Sequence, residues 1–245
     1  MADKPKQEFA INYGTFTETA AKLKALGEKH PAALVAYSGG MDSLVCLDLC
    51  SKAFKKVVCF YMYLVPDLGV AEKQLAYARE HYGVDILQYP HWVTTNALKY
   101  GVYCNNGPAW DSVKEQNLDD VHEWVKADTG IPIICHGAKK SDSLWRRRTM
   151  SMRKNRQDGV FYPLAEWNKY EVFAYLGMNH IPLPQSETGN KRATSGLDLT
   201  TEVLLWLHDQ HREDFDKVAD YFPYVWAVIK RRDWFGIAEV KEQHK

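Results

Sequence analysis

The 245-residue sequence lacks several features that would place it in a class of proteins at once. It has no run of about 18 consecutive apolar residues, which a transmembrane helix needs. Its first residues, MADKPKQE, contain no apolar signal-peptide core. Basic and acidic residues number 31 each, so the zero net charge gives no global argument for a nucleic-acid or membrane partner. These absences predict a cytoplasmic protein that does not contact membranes.

Cysteine is scarce and unevenly placed. The sequence has five cysteines, with no CxxC pair and none after Cys135: Cys46, Cys50, Cys59, Cys104 and Cys135. An odd number without paired spacing is typical of reduced thiols rather than of a disulfide framework. Because the cysteine-pair motifs of iron–sulfur proteins are missing, we expect no iron–sulfur cluster. Cys104 lies in a loop-like segment and is a candidate for an exposed thiol, although nothing in the sequence indicates that it is activated.

The chain does show an alternation of strand and helix patterns. Apolar runs predict buried strands at 32–37, 57–65, 84–88 and 131–135, and helical patterns occupy 20–26, 44–54, 71–82, 111–127, 169–176 and 202–211. This alternation indicates an open, doubly wound, mostly parallel α/β sheet, Rossmann-like, of about five strands with 32–37 at its centre. We assign residues 1–185 to this domain and 186–245 to a loop and a helical C-terminal appendage.

Local sequence signals refine this outline. A capping box at Thr15–Glu18 is expected to start the first helix, and Asn168 is expected to cap the helix at 169–176. Thr200 or Thr201 is expected to cap the helix at 202–211. The polar segment 182–196 contains proline, glycine and serine, and is predicted to be a mobile loop unless a ligand orders it.

The strongest chemical signal is the segment SGGMDS at 38–43, between the first strand and a helix. Glycines let backbone N–H groups approach an anion, and the helix N-terminus adds partial positive charge. The hydroxyls of Ser38 and Ser43 add donors. The spacing is neither that of a Walker A loop nor that of GxGxxG. The segment therefore predicts a phosphate, pyrophosphate or sulfate site, and the alternative is a plain strand-to-helix turn.

Asp42 places a carboxylate inside this predicted anion site. A carboxylate repels an anion unless a metal bridges the two or the side chain turns away. We expect Asp42 to cap the helix or to meet Mg²⁺ on the phosphates, rather than to touch the substrate directly.

The motifs together resemble a known superfamily. The 38–43 segment matches the SGGxDS motif of the PP-loop ATP pyrophosphatases, the adenine-nucleotide alpha-hydrolase superfamily. Residues 133–147, IICHGAKKSDSLWRR, resemble a loop of its phosphoadenylyl-sulfate (PAPS) reductase branch. Basic, acidic, serine and paired arginine positions of that loop are occupied by Lys139, Asp142, Ser143, Arg146 and Arg147. Residues 162–176 and 181–184 extend the resemblance, which covers about residues 30–185.

The resemblance and the anion loop together imply a nucleotide site. The expected contacts are Ala36, Tyr37, Ser38, Gly39, Gly40, Met41, Asp42, Ser43, Tyr61, His136, Gly137, Lys139, Ser143, Arg146 and Arg147. The expected catalytic residues are Ser38, Asp42, Ser43 and Arg146. Ala36, Tyr37 and Tyr61 fit the sheet core equally well, and His136 fits a backbone-pairing role equally well. Asp67, after the second strand, is a further candidate near the nucleotide.

A basic cluster follows the predicted strand at 131–135. Residues 139–156 hold eight basic residues against one acidic residue, a local net charge of +7. Guanidinium groups bind phosphate or sulfate oxygens in pairs. Because neighbouring helical residues point about 100° apart, at most two of the arginines at 146–148 can face one ligand. A solvated basic face, or contact with nucleic-acid phosphates, is the alternative.

Three functions stay open at this level. Reductases of the branch attack the sulfate sulfur with a thiolate in a C-terminal tail, and this sequence has no cysteine there. The chain is expected to bind ATP, with Mg²⁺, and to pass its adenylate to an acceptor such as a nucleic acid, releasing pyrophosphate. The alternatives are PAPS or adenylyl-sulfate reduction with a thiol from a partner protein, and a non-catalytic nucleotide-binding subunit. A homodimer is compatible with each.

Overall fold

A computed structural model describes residues 11–153, 158–182 and 198–236. The strands are β1 (Ala32–Ala36), β2 (Lys56–Tyr63), β3 (Asp85–Pro90), β4 (Ile134–His136) and β5 (Val160–Phe161). The helices are α1 (Tyr13–Lys29), α2 (Met41–Ala53), α3 (Gly69–Tyr82), α4 (Trp92–Lys99), α5 (Leu118–Thr129), α6 (Leu144–Arg153), α7 (Lys169–Met178), α8 (Thr201–Gln210), α9 (Arg212–Tyr221) and α10 (Trp226–Phe235). Short 3₁₀ turns lie at Pro108–Trp110 and Pro223–Val225.

Within these residues the strands form a five-stranded sheet in the order β3-β2-β1-β4-β5. The central strand β1 pairs in parallel with β2 and β4, and β4 pairs in parallel with β5. Ala33, Leu34 and Val35 of β1 have no exposed surface, as expected of a strand that is covered on both faces. The predicted open α/β sheet, with 32–37 at its centre, is confirmed, and so is a helical C-terminal region.

The chain divides into two compact units. Of the described residues, the first unit comprises 11–60, 78–87, 129–153 and 158–182, and the second comprises 61–77, 88–128 and 198–236. In the first unit the buried indole of Trp167 packs on Phe16 and donates to the Thr19 hydroxyl at 2.9 Å. In the second, Leu204, Phe215 and Phe222 are fully buried in one apolar cluster. The predicted boundary after residue 185 and most of the predicted mobile loop, 183–196, lie outside the described residues.

Two helices begin at residues other than those predicted. α1 begins at Tyr13, where the Asn12 side chain accepts the N–H of Gly14 at 3.1 Å. The predicted capping box at Thr15 is wrong, because asparagine caps a helix at least as well as threonine and stands upstream. α5 begins only at Leu118, because the Asn117 side chain accepts the N–H groups of Asp119 and Asp120. Residues 111–117 are therefore not helical, contrary to the prediction.

Other local signals are confirmed. Asn168 and Glu171 form a capping box at the start of α7, with the Asn168 side chain accepting the N–H groups of Tyr170 and Glu171. Thr200 occupies the N-cap position of α8, although no side chain caps that helix. The sequence patterns did not predict α4 or β5, which are short elements of eight and two residues.

The second unit contains a buried capping carboxylate that can be tested. Asp214 on α9 is 5% exposed and accepts the N–H groups of Gly69 and Val70, at 2.7 and 2.8 Å, in the first turn of α3. Asp214→Ala leaves both N–H donors without an acceptor. We therefore expect it to lower the free energy of unfolding by about 1–3 kcal/mol in urea denaturation. The control Asp216→Ala removes an exposed ion pair with Arg212 and should change it by less than about 1 kcal/mol. Equal effects of the two substitutions would contradict the capping role.

Candidate functional site

The order of the strands places two loops at one edge of the sheet. The chain leaves β1 toward β2 on one side, and β4 lies on the other side of β1, so the ends of β1 and β4 form a topological switch point. In the register, Ala36 at the end of β1 lies between Phe60 and His136. The segment 38–43 follows β1 and the segment 137–143 follows β4. The two segments that carry the motifs therefore meet at the sheet edge where open α/β proteins bind ligands.

Gly137 shows how closely these segments approach each other. A Cβ atom built on Gly137 would lie 2.5 Å from the Asp42 carbonyl oxygen and 2.9 Å from the Ser43 nitrogen. Real Cβ atoms do not come so near to backbone atoms, so this position has room only for glycine. Gly137 thus lets the β4 loop rest against the first turn of α2.

The 38–43 loop is closed by its own serine. Gly39 has φ of +77°, a left-handed conformation that suits glycine, and Gly40 is the N-cap residue of α2. The Ser43 hydroxyl donates to the Gly40 carbonyl at 2.8 Å and accepts the Ser38 N–H at 3.2 Å. Its single proton is used inside the loop, so Ser43 acts here as a loop-closing residue. No side chain caps α2, so the backbone N–H groups of its first turn are not engaged by a capping side chain.

Lys139 is the centre of the polar network at this edge. Its side chain is 4% exposed, and its Nζ contacts the Asp42 carboxylate and lies 3.1 Å from Asp142 Oδ1. Arg146 approaches the same Asp142 carboxylate at 2.5 Å. Of the two roles expected for Asp42, capping of α2 is not found, because Asp42 instead pairs with a lysine from the loop after β4, and contact with Mg²⁺ stays a prediction. Two carboxylates and two cations balance each other in this network.

The surroundings of Asp142 shift its titration. Partial burial raises the pKa of this carboxyl, but the backbone N–H and ammonium of Lys139 and the Arg146 guanidinium outweigh burial. The pKa of Asp142 therefore lies below its usual value. The folded network thus stabilises the ionised carboxylate of Asp142.

The basic cluster separates into paired and unpaired cations. Lys139 and Arg146 pair with Asp142, Lys140 pairs with Glu166, and Arg153 pairs with Asp158 at 3.0 Å. Within the described residues, Arg147 and Arg148 have no carboxylate partner. Lys154 and Arg156 lie outside those residues. The structure thus brings Lys139 and Arg146 to the predicted site and does not bring Arg147 into that network.

The remaining predicted contacts are distributed around the strand ends. Tyr37 and Tyr61 are buried at 2% and 7% exposure, and burial raises the pKa of Tyr61 to about 12. His136 stacks on Tyr162, which the sequence motifs did not single out, with ring centroids 5.7 Å apart. Ser143 accepts the N–H of Arg146 at 3.1 Å and so caps the first turn of α6. Tyr37, Tyr61 and Ser143 thus have structural roles in this arrangement.

Asp67 and Met41 complete the predicted set. Asp67 follows β2 in a left-handed conformation with φ of +58°, and its carbonyl oxygen accepts from the Lys217 ammonium. Met41 is the first residue of α2 and is half-buried. Neither residue belongs to the network around Lys139.

Every cysteine of the sequence is reduced and buried. The expectation that Cys104 is exposed is wrong: it is 8% exposed and belongs to the apolar cluster of the second unit, where burial raises its pKa. Cys46, Cys50, Cys59 and Cys135 have no exposed surface. Burial also raises the pKa of Cys59 well above its usual value. A thiolate nucleophile needs exposure and a lowered pKa, and no cysteine here combines them.

Across 11–153, 158–182 and 198–236, no three histidine, cysteine, aspartate or glutamate side chains converge as metal ligands would. None of the helices in those ranges has the length and apolar character needed to cross a bilayer.

A parallel sheet with a glycine loop at its switch point belongs to the class of α/β proteins that bind ligands at the carboxyl ends of strands. The family model described as "Phosphoadenosine phosphosulfate reductase domain" matches residues 32–185, well over half of the chain. The chain therefore belongs to this family, a branch of the PP-loop adenine-nucleotide alpha-hydrolase superfamily.

An NH3-dependent NAD synthetase from Campylobacter jejuni subsp. jejuni, in complex with the nitrate ion, is similar in structure with a TM-score of 0.47 and 11% identity. The similarity covers 92% of this chain and 96% of that chain. No curated protein matches this sequence.

The close approach at Gly137 generates a stability prediction. We expect Gly137→Ala to lower the free energy of unfolding by about 1–3 kcal/mol, because its Cβ would collide with the backbone of Asp42. The control Gly177→Ala lies in α7 with nothing within 4 Å of the new Cβ, and it should be neutral or stabilising by up to about 1 kcal/mol. Urea denaturation measures both. A Gly137→Ala variant as stable as the parent would refute the contact.

The lowered pKa of Asp142 generates a pH prediction. Because the folded value lies below the unfolded value of about 4, ionised Asp142 stabilises the fold above that pH. This stabilisation is lost as the pH falls through the folded value. Asp142→Asn should therefore be less stable than the parent at pH 7 and should lose less stability on acidification below about pH 4. Urea midpoints across this range test it, and parallel acid slopes would contradict it.

Proposed function

We propose that the chain binds ATP at the 38–43 loop, transfers the adenylyl group to an acceptor and releases pyrophosphate. Two observations together carry this proposal: all five cysteines are buried, and the 38–43 loop keeps its glycines at the start of α2. The sulfur chemistry of the family needs an accessible thiolate, whereas adenylyl transfer needs positioned anion-binding groups and no thiol.

The loop geometry supports binding of the pyrophosphate part. The left-handed Gly39 and the extended Gly40 turn the chain so that α2 starts directly beyond the end of β1. The N–H groups of the first turn of α2 then carry the partial positive charge of a helix N-terminus toward the ligand. Ser43 supports this role by holding the loop closed through Gly40 and Ser38.

Lys139 and Arg146 would stabilise the charge that develops in the reaction. An acceptor atom bonds to the α-phosphorus, the bond from that phosphorus to the bridging oxygen breaks, and pyrophosphate leaves with the electron pair. Both cations are now held by Asp142 and, for Lys139, by Asp42. A bound triphosphate competes with these carboxylates for the two cations. The site therefore accepts the nucleotide when Lys139 and Arg146 exchange their carboxylate partners for phosphate oxygens, without any added cation.

The same carboxylates fit a magnesium ion. Asp42 and Asp142 converge on one ammonium group, so their oxygens lie near enough to share a single cation. Mg²⁺ is commonly held by one or two carboxylates together with phosphate oxygens and water. Asp42 and Asp142 would hold it, and it would neutralise charge on the phosphates. This arrangement frees Lys139 and Arg146 to contact the nucleotide.

A second candidate function rests on the family match. Because residues 32–185 match the phosphoadenosine phosphosulfate reductase domain, PAPS or adenylyl sulfate is an alternative ligand for the same loop. That function needs a thiol from a partner protein, since no cysteine of this sequence is exposed.

A panel of ligands separates the two functions. Thermal-shift titrations with ATP plus Mg²⁺, PAPS and adenylyl sulfate measure binding, and pyrophosphate release measures turnover of ATP. The proposal predicts binding of ATP, with pyrophosphate release once an acceptor is supplied. Binding of PAPS alone would favour the reductase-like function. Binding of ATP without release, over a panel of acceptors, would favour a nucleotide-binding subunit.

Arg146 provides the sharpest test within the site. A guanidinium–phosphate contact contributes about 1.5–3 kcal/mol, so we expect Arg146→Ala to weaken ATP binding by about 10- to 150-fold. Arg147→Ala should have a smaller effect, because Arg147 does not join the network around Lys139. Arg231→Ala, an exposed arginine on α10, is the matched control and should leave ATP affinity unchanged.

Arg153→Ala is not a suitable control. Its guanidinium is 10% exposed in the ion pair with Asp158, so its removal is expected to cost stability. A different result would contradict a specific phosphate contact: ATP binding that is weakened equally and modestly, with steep salt dependence, by Arg146→Ala, Arg147→Ala and Arg231→Ala. That result would indicate general electrostatic attraction by the positive charges of the protein.

A further inference from the structure

The face of α6 that points away from the site is unusually exposed. Leu144, Trp145 and Met152 are 81%, 72% and 65% exposed, whereas Met150 on the opposite side of the helix is buried. Residues three, four or seven positions apart share one face of a helix. Arg148 therefore lies on the face that also carries Leu144, Trp145 and Met152. We refer to these four residues as the outer face of α6.

The charge of this face is not neutralised within the described residues. The other described cations of the basic cluster are paired with Asp42, Asp142, Glu166 or Asp158, which leaves Arg147 and Arg148 without carboxylate partners. Residues 143–157 contain no acidic residue at all, although the chain as a whole has no net charge. The outer face thus combines an exposed indole with one unpaired guanidinium group, that of Arg148, and Arg147 lies about 100° further round the helix.

We propose that the outer face of α6 docks a single-stranded nucleic acid. Arginines without carboxylate partners bind backbone phosphates, and an exposed indole provides a flat surface on which an unpaired base stacks. Leu144 and Met152 extend the apolar surface on either side of Arg148. A second copy of this chain, meeting the first through this same face, would bring the two Arg148 guanidinium groups together, and their like charges would repel.

The comparison with α10 sharpens this assignment. α10 also exposes aromatic side chains, with Trp234 and Phe235 at 75% and 71% exposure. It contains Asp233, which pairs with Arg232, and Arg232 also pairs with Asp209. Carboxylates beside the exposed ring repel phosphates. Exposed tryptophan and cations without a carboxylate partner within the described residues, here Lys230 and Arg231, are therefore common to both helices. What distinguishes α6 is that residues 143–157 contain no acidic residue, whereas Asp233 stands directly beside Trp234.

The position of α6 relates the docked strand to the nucleotide site. Arg146 joins Asp142 on the inner side of the helix, and Trp145, its neighbour in sequence, points about 100° away from it. A strand on the outer face is therefore separated from the Lys139 network by about the width of one helix, roughly 10–12 Å. This inference deepens the proposed function. It rests on that function for one point only, which is that the docked strand is the acceptor of the adenylyl group.

Fluorescence anisotropy with labelled 20-nucleotide single strands of DNA and RNA, without ATP, tests the docking directly. We expect Trp145→Ala and Arg148→Ala each to weaken binding by about 5- to 150-fold, as for loss of a stacked base or a phosphate contact. Arg148→Ala should also lower the slope of log affinity against log salt by about 0.7. Trp234→Ala and Arg231→Ala are matched controls that should bind like the parent.

Several outcomes would overturn the docking. The first is that the parent does not bind the strands at about 50 mM salt, where phosphate contacts are strong. The second is that Trp145→Ala and Trp234→Ala change the affinity for the strands equally. Conversion of a dimer to a monomer by Trp145→Ala in light scattering would show that a second copy covers the face. If the parent binds the strands but neither binds ATP nor turns it over, the proposed function is contradicted and the docking surface is not.

Discussion

The buried ammonium group of Lys139 is the interaction on which the rest of the site depends. An ammonium removed from water costs several kcal/mol unless carboxylates surround it, and Asp42 and Asp142 provide them from two segments of the chain. Asp42 belongs to the first turn of α2, and Asp142 belongs to the loop that leads into α6. The lysine therefore fixes the glycine loop, the β4 loop and the start of α6 in one arrangement.

This arrangement explains why a site built for anions tolerates two carboxylates. In their absence Lys139 and Arg146 would face each other with no counter-charge in this network. With them, the network is neutral and stable before any nucleotide binds. In the proposed function, a phosphate displaces a carboxylate from each cation. The proposal therefore favours a ligand with several closely spaced charges, because a single charge cannot replace both Asp42 and Asp142.

Local signals made much of the fold and part of the site predictable from the sequence. β1, the glycine loop and the Asn168 cap depend on residues that are close together in the chain, so pattern and capping rules found them. The pairing of Lys139 with Asp42 joins residues 97 positions apart. It depends on the adjacency of β1 and β4, which no local pattern encodes. Cys104 was misplaced for a related reason, because residues distant in sequence supply its apolar surroundings.

The three consecutive arginines at 146–148 show why a charge run is not one functional unit. The rotation of a helix by about 100° per residue directs Arg146 to Asp142 and directs Arg148 to the side that carries Trp145. Arg146 thereby belongs to an internal, charge-balanced network, whereas Arg148 keeps its charge for an external ligand. A single helix can in this way serve two ligands, one on each side. The net charge of +7 over residues 139–156 therefore overstates what any one ligand would meet.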